Sequence, residues 1–144
     1  MSGVTVEIVT EVTPDLVGAM THLLPQLSRS ASAPTVTELT EMVTSPATEL
    51  LIARVAGAVV GSLTLVIFRI PTGVRAWIED VVVDADARGH GVGEALNRFA
   101  VDLAAERGAR TVDLTSRPSR DAANRLYQRM GFKARESTVY RYDP

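Results

Sequence analysis

The stretch from Trp77 to Arg107, WIEDVVVDADARGHGVGEALNRFAVDLAAER, decides how the rest of the chain must be arranged. It opens as a strand, because Trp77, Ile78 and the run Val81-Val82-Val83 are the aromatic and β-branched residues that suit a pleated surface. Asp84 to Ala87 is short and polar and turns the chain. Arg88-Gly89-His90-Gly91-Val92-Gly93 then runs straight into a helical period carried by Leu96, Phe99, Ala100 and Leu103. A strand, a glycine-rich turn and a helix N-terminus in that order make a site for an anion. The first-turn N–H groups lack intrahelical partners, and the helix dipole adds partial positive charge there. Gly89, Gly91 and Gly93 have no Cβ, so a ligand can come close to the main chain, and Arg88 adds a permanent charge that can grip a phosphate in two places. The expected ligand is a phosphate or diphosphate.

Two phosphate motifs fail on the letters. A P-loop needs a Gly-Lys pair, and the only lysine is Lys133. The dinucleotide pattern G-x-G-x-x-G would need glycine where Glu94 or Leu96 stands. The pattern R-x-x-G-x-G does fit, through Arg88, Gly91 and Gly93, and here the chain resembles the GNAT superfamily of acetyl-CoA-dependent N-acetyltransferases. That resemblance implies that the main chain from Arg88 through Gly89, His90, Gly91, Val92 and Gly93 holds the pyrophosphate of coenzyme A. His90 would act there as a backbone donor with its ring exposed.

Outward from this centre, the chain reads as one domain over residues 1–144. Its 144 residues leave room for a sizeable core, and 46% of them are hydrophobic, more than a disordered chain carries. The absence of cysteine excludes disulfides, thiolate zinc sites and a cysteinyl intermediate. Net charge is -2 with pI near 5.7 and no basic tract, which disfavours nucleic acid as a partner. The N-terminus MSGVTVEIV lacks a signal-peptide pattern and no apolar run reaches about 18 residues, so no membrane partner and a cytoplasmic location are expected. Two histidines far apart, His22 and His90, make a poor metal site.

Val4 to Val9 alternates as a first strand. Thr13-Pro14-Asp15 opens a helix with an apolar stripe of Leu16, Met20, Leu23, Leu24 and Leu27. Ser28 to Pro34 reads as a loop, and Thr35 to Thr44 as a short second helix stopped by Ser45-Pro46. Leu50 to Val55 and Val59 to Ile70 form a hairpin joined at Ala56-Gly57, and Pro71-Thr72-Gly73 turns into the Trp77 strand. After the central helix, Gly108 suits a C-terminal cap, and Thr111 to Thr115 reads as a strand parallel to the Trp77 strand. Asp121 to Met130 reads as a helix ended by Gly131, and Phe132 to Arg135 with Thr138 to Tyr142 as a closing hairpin. The class is α/β (α+β), in the order β-α-α-β-β-β-α-β-α-β-β. This is the order of the GNAT fold, which implies a mixed, mostly antiparallel central sheet splayed between strands 4 and 5 and flanked by helices. The same resemblance places the pantetheine arm in the gap, paired with the backbone of the Val81-Val82-Val83 run at Val81 and Val83.

Ala123-Asn124-Arg125-Leu126-Tyr127-Gln128-Arg129-Met130-Gly131-Phe132 looks like a second GNAT signature, A-x-x-L-Y-x-x-x-G-F. Asn124 and Tyr127 are three apart and share a helix face. The resemblance implies that Asn124 bonds the pantetheine arm and that Tyr127, near the thioester sulfur, acts as general acid for the departing thiolate. On spacing alone, Ala123, Tyr127 and Met130 equally form a core stripe in which the tyrosine only packs. Arg117, Arg120, Arg125 and Arg129 around this motif are read as solvated charges that could meet the nucleotide phosphates.

An acceptor amine must be neutral to attack, and a lysine-like amine has a pKa of about 10.4, so a base is expected. Glu79 is the first candidate and Asp80 the second. If Glu79 shares a face with Trp77, Val81 and Val83, a carboxylate interrupts an apolar row, and burial would raise its pKa. The competing reading is a surface carboxylate near a strand end. The whole points to transfer of acetyl from acetyl-CoA to a small-molecule or peptide amine by direct attack in a ternary complex, without metal. Alternatives are a non-catalytic acyl-CoA-binding module and a longer acyl group such as succinyl. Exposed edge strands would allow a homodimer.

Overall fold

Strands β1 (Val4–Ile8), β2 (Thr48–Val55), β3 (Ala58–Ile70), β4 (Gly73–Val83) and β5 (Thr111–Asp113) form one sheet in the order β1-β2-β3-β4-β5. The computed structural model describes residues 3–30 and 32–144; Ala31, within the expected loop, lies outside them, as do Met1 and Ser2. The first four strands run antiparallel and β5 runs parallel to β4. Parallel pairing needs a long crossover, and helix α3 (Val92–Glu106) supplies it. The chain divides into two units: residues 1–114, which carry the sheet with α1 (Pro14–Leu27), α2 (Val36–Thr44) and α3, and residues 115–144, which carry α4 (Asp121–Met130).

Local chemistry sets the helix starts. The Thr13 hydroxyl accepts from the Leu16 amide at 3.2 Å, and Pro14 occupies the first turn, where its missing N–H costs nothing. At α2, Thr35 Oγ1 accepts from the Glu38 amide (3.1 Å) while Glu38 Oε1 accepts from the Thr35 amide (2.9 Å), a reciprocal capping box. Between β2 and β3, Ala56 and Gly57 both take positive φ, the mirror-image turn whose twist matches a tight hairpin.

Each sheet face has its own cover. Leu50 and Ile52 of β2 pack with Leu16 and Met20 of α1, Leu39 of α2 and Val9. On the opposite face α3 lies along β1 to β4 and buries Val92, Leu96, Ala100, Leu103 and Ala104. Gly61 on β3 lets α3 come this close: a Cβ there would stand 2.8 Å from Val92 Cγ1 and 3.1 Å from Leu96 Cδ1.

Two expectations are corrected. β5 is a three-residue strand, Thr111–Asp113, rather than one reaching Thr115. The closing hairpin is not formed, since residues 132–144 contain no strand. The expected order therefore loses its last two strands among the described residues. The connector Glu136-Ser137 has no residue suited to positive φ, and Val139, Tyr140 and Tyr142 are 67%, 91% and 87% exposed. Without apolar burial or a third strand, nothing offsets the entropy of ordering a hairpin.

Candidate active site

The glycine-rich turn forms as its letters require. Gly89 and Gly91 take φ of 88° and 75°, and nothing lies within 4 Å of a Cβ built on either. Gly91 is the N-cap of α3 and supplies no side-chain hydrogen bond, so the first-turn amides lack the side-chain cap that closes the starts of α1 and α2. Arg88 and His90 are exposed, and Arg88 makes no ion pair with any described residue. Val92 turns its side chain into the core and offers only its main chain. Asn97, one turn on and 1% exposed, donates Nδ2 to the Gly93 carbonyl at 2.8 Å and braces that turn, while its Oδ1 has no partner among the described residues. These features fit a diphosphate: open main chain, uncapped donors and a cation beside them.

The strand ahead of this turn leaves its neighbour. β4 pairs with β5 only from Arg75↔Thr111 to Trp77↔Asp113, an end fastened by Arg75 Nη2 to Asp113 Oδ2 at 2.6 Å. Beyond Trp77 the outer edge of β4 has no strand partner among the described residues. The Asp84 amide donates to Val60 on β3 (2.8 Å), so by antiparallel alternation Val83 and Val81 present their N–H and C=O groups outward, whereas Val82 faces β3 and is buried. An amide-bearing arm laid along this edge would satisfy those groups.

The same strand carries a bulge. Thr64 stands opposite Glu79 and Ser62 opposite Val82, so Asp80 and Val81 share one partner, Leu63. Asp80 takes a φ of 48°, a left-handed conformation that aspartate tolerates better than most residues. The bulge brings Asp80 into the wall of a cavity of about 540 Å³, with Met20 and Leu24 of α1, Glu38, Leu39, Glu41 and Met42 of α2, and Thr48, Leu50, Ser62 and Thr64 of the sheet. Glu79 does not line it. Both carboxylates are exposed, so the expected burial of Glu79 in an apolar row is not found.

One contact escaped the sequence reading. His22 Nε2 meets Asp84 Oδ2 at 3.0 Å, and Gln26 Oε1, one helical turn on, accepts from the Ala85 amide at 2.9 Å. Together they tie α1 to the segment that leads into the glycine-rich turn. His22 and Gln26 at i and i+4 were the only available signal, since their partner lies 58 to 62 residues away. The Asp86 amide (3.1 Å) is the largest cause holding the Asp84 carboxyl below its ordinary 3.8; burial opposes it, and His22 and Gln26 reinforce it. Because the folded-state pKa is lowered, the stabilisation is fully present above the ordinary value and is lost as pH falls through the folded one. Asp84→Asn is therefore expected to melt below the parent at pH 7, and the two melting curves should converge as pH falls below the ordinary carboxyl value and through the lowered folded-state one. Thermal melts across that range check it; a gap constant with pH would contradict it.

In the second unit, α4 sets Asn124 and Tyr127 on one face. Asn124 Nδ2 donates to the Arg117 carbonyl at 3.0 Å. Gly131, with φ of 104°, closes the helix: its amide donates to Gln128 and the Phe132 amide to Tyr127, the two bonds of a left-handed glycine cap. The Phe132 ring meets Tyr127 edge-on, with centroids 5.7 Å apart. Helix geometry thus accounts for the Tyr-x-x-x-Gly-Phe spacing. Burial pushes the Tyr127 hydroxyl above its ordinary 10.0, with Arg120 pulling weakly the other way.

Comparison with known proteins bears on these features. The model of the acetyltransferase (GNAT) family matches residues 16–132. An uncharacterized N-acetyltransferase of Methanocaldococcus jannaschii is 39% identical over 61 residues, which are 42% of this chain and 27% of that protein, so the chain matches about a quarter of that relative's length. A crystal structure described as a transcriptional regulator from Bacillus halodurans is 28% identical with a TM-score of 0.81, covering 97% of this chain and 99% of that one. An aminoglycoside acetyltransferase from an uncultured soil metagenomic sample, solved with trehalose, shares the fold with a TM-score of 0.85 at 20% identity, covering 99% and 96%. The model match spans both sequence signatures and most of the chain, which therefore belongs to the acetyltransferase (GNAT) family, whose chemistry is acyl transfer.

Proposed function

We propose that this protein transfers an acetyl group from acetyl-CoA to a primary amine by direct attack in a ternary complex. The carrying observation is the uncapped start of α3 behind Arg88, which makes no ion pair with any described residue, a cradle suited to a diphosphate. The main chain of residues 88–93 would hold that diphosphate, and Val81 and Val83 would hold the amide-bearing arm. When bound, acetyl-CoA supplies a thioester-activated acetyl group and a thiolate leaving group. Asp80, with Glu79 beside it, takes the proton that the ammonium must lose. Tyr127 donates a proton to the departing sulfur, and its raised pKa keeps it protonated at neutral pH. In balance, a C–N bond forms, the C–S bond breaks, the amine loses a proton and the thiolate gains one.

Thiol release with acetyl-CoA and a panel of amines tests the reaction. Calorimetry with Gly91→Val tests the cradle: a β-branched side chain at a φ of 75° is expected to weaken acetyl-CoA binding by at least about tenfold. Unchanged affinity would refute the assignment of the diphosphate to this turn. A second reading has its own support. Asn124 already bonds Arg117 and Tyr127 already packs on Phe132, so both side chains have roles without a ligand, as in an acyl-CoA-binding module. Tight coenzyme binding with no thiol release across the panel would establish it.

A further inference from the structure

The inner face of α3 is built from Leu96, Ala100, Leu103 and Ala104, and Asn97 stands among them equally buried. An amide in such a place needs partners for both its nitrogen and its oxygen. Asn97 finds only the first. Nδ2 donates to the Gly93 carbonyl, and Oδ1 is the one buried side-chain polar atom among the described residues that has no hydrogen-bond partner. Chemistry fixes this orientation of the amide, because only the nitrogen can face a carbonyl oxygen. A buried acceptor left unmet lowers stability, so packing alone would favour leucine here, which has the same number of side-chain heavy atoms and no polar group.

The bond to Gly93 supplies a reason for the amide. Gly93 is the second residue of α3 and the last of the three glycines at 89, 91 and 93. Glycine loses more conformational freedom on ordering than any other residue, so this main chain is the costliest to hold still. Helix carbonyls point towards the C-terminus and amides towards the N-terminus. Nδ2 therefore grips the Gly93 peptide from behind and leaves the exposed end of the helix open.

We infer that Asn97 is a positioning residue for coenzyme binding: it holds the Gly93 carbonyl so that the first turn of α3 is set before a diphosphate arrives, and the unmet Oδ1 is the stability given up for it. This rests on the assignment of the diphosphate to the glycine-rich turn. A residue that only packed would lose stability and affinity together. A positioning residue at this site moves them in opposite directions.

Two substitutions test it. Asn97→Leu removes the donor and the unmet acceptor together. Asn97→Thr keeps a donor, since threonine hydroxyls in this chain already bond the carbonyl four residues back, from Thr21 to Val17 at 2.9 Å and from Thr40 to Val36 at 2.7 Å. In Asn97→Leu the melting temperature is expected to rise by about 3 °C or more. Its calorimetric Kd for acetyl-CoA should weaken by about fivefold, the effect of releasing one main-chain residue. The KM for acetyl-CoA should follow, with kcat within about twofold of the parent. Asn97→Thr should bind acetyl-CoA within about twofold of the parent, whatever its melting temperature. A leucine variant that binds as tightly as the parent, one that both melts lower and binds more weakly, or a threonine variant as weak as the leucine one would each overturn the inference. Weakening in Gly91→Val but not in Asn97→Leu would leave the diphosphate assignment standing and remove the role of Asn97. Unchanged affinity in both would overturn the assignment, and this inference with it.

Discussion

Tyr127→Phe is expected to lower kcat by about a hundredfold to a thousandfold, the range in which a positioned general acid contributes. The ring should stay in place, because its edge-on contact with Phe132 involves no hydroxyl, and the glycine cap behind it is made by main-chain groups. Melting temperature and acetyl-CoA affinity are therefore expected to change little, which separates lost chemistry from lost structure. The pH profile gives a second check. Burial raises the hydroxyl above its ordinary 10.0, so loss of the acid form should appear only on an alkaline limb above that value, absent in the variant. A kcat within threefold of the parent would return Tyr127 to packing and favour the binding-module reading.

Leu96→Ala should produce the largest loss of stability. Leu96 is fully buried on α3, one turn beyond the glycine-rich turn and against the position where β3 carries Gly61. Truncation removes three carbons from a contact the backbone cannot close, because α3 already rests on β3 at its nearest approach. A cost of about 3 kcal/mol follows from comparable core truncations. For a chain of this size that corresponds to a fall in melting temperature of roughly 10 °C. Leu96→Met, which preserves volume, should lose less than about 1.5 kcal/mol. Similar melting temperatures for the two variants would show that α3 can settle into the gap. Acetyl-CoA affinity should fall in Leu96→Ala as well, since the amides of residues 92–94 move with the helix start.

The parts legible in the sequence are those specified within about a dozen neighbouring residues. Thr13-Pro14 and Thr35 with Glu38 announce helix starts, Gly108 and Gly131 announce ends, and Gly89 and Gly91 announce the left-handed turn that opens α3. What escaped depends on distant partners. The bulge at Asp80 arises from register against β3, so alternation along β4 alone misplaced Glu79 in an apolar row. The tie from His22 and Gln26 to residues 84 and 85 joins segments that no local pattern relates. The closing hairpin shows the converse. Thr138 to Tyr142 has strand-like letters, but strand propensity describes how a residue fits a supporting surface, and without burial the letters decide nothing.

The left-handed turn at Asp80 sets two selections against each other. Glycine would occupy that backbone without strain, so a screen for heat tolerance alone should drift towards Asp80→Gly, while a screen for turnover should hold the acid. Which letter a related chain carries at this one site would then tell whether durability or catalysis has shaped it.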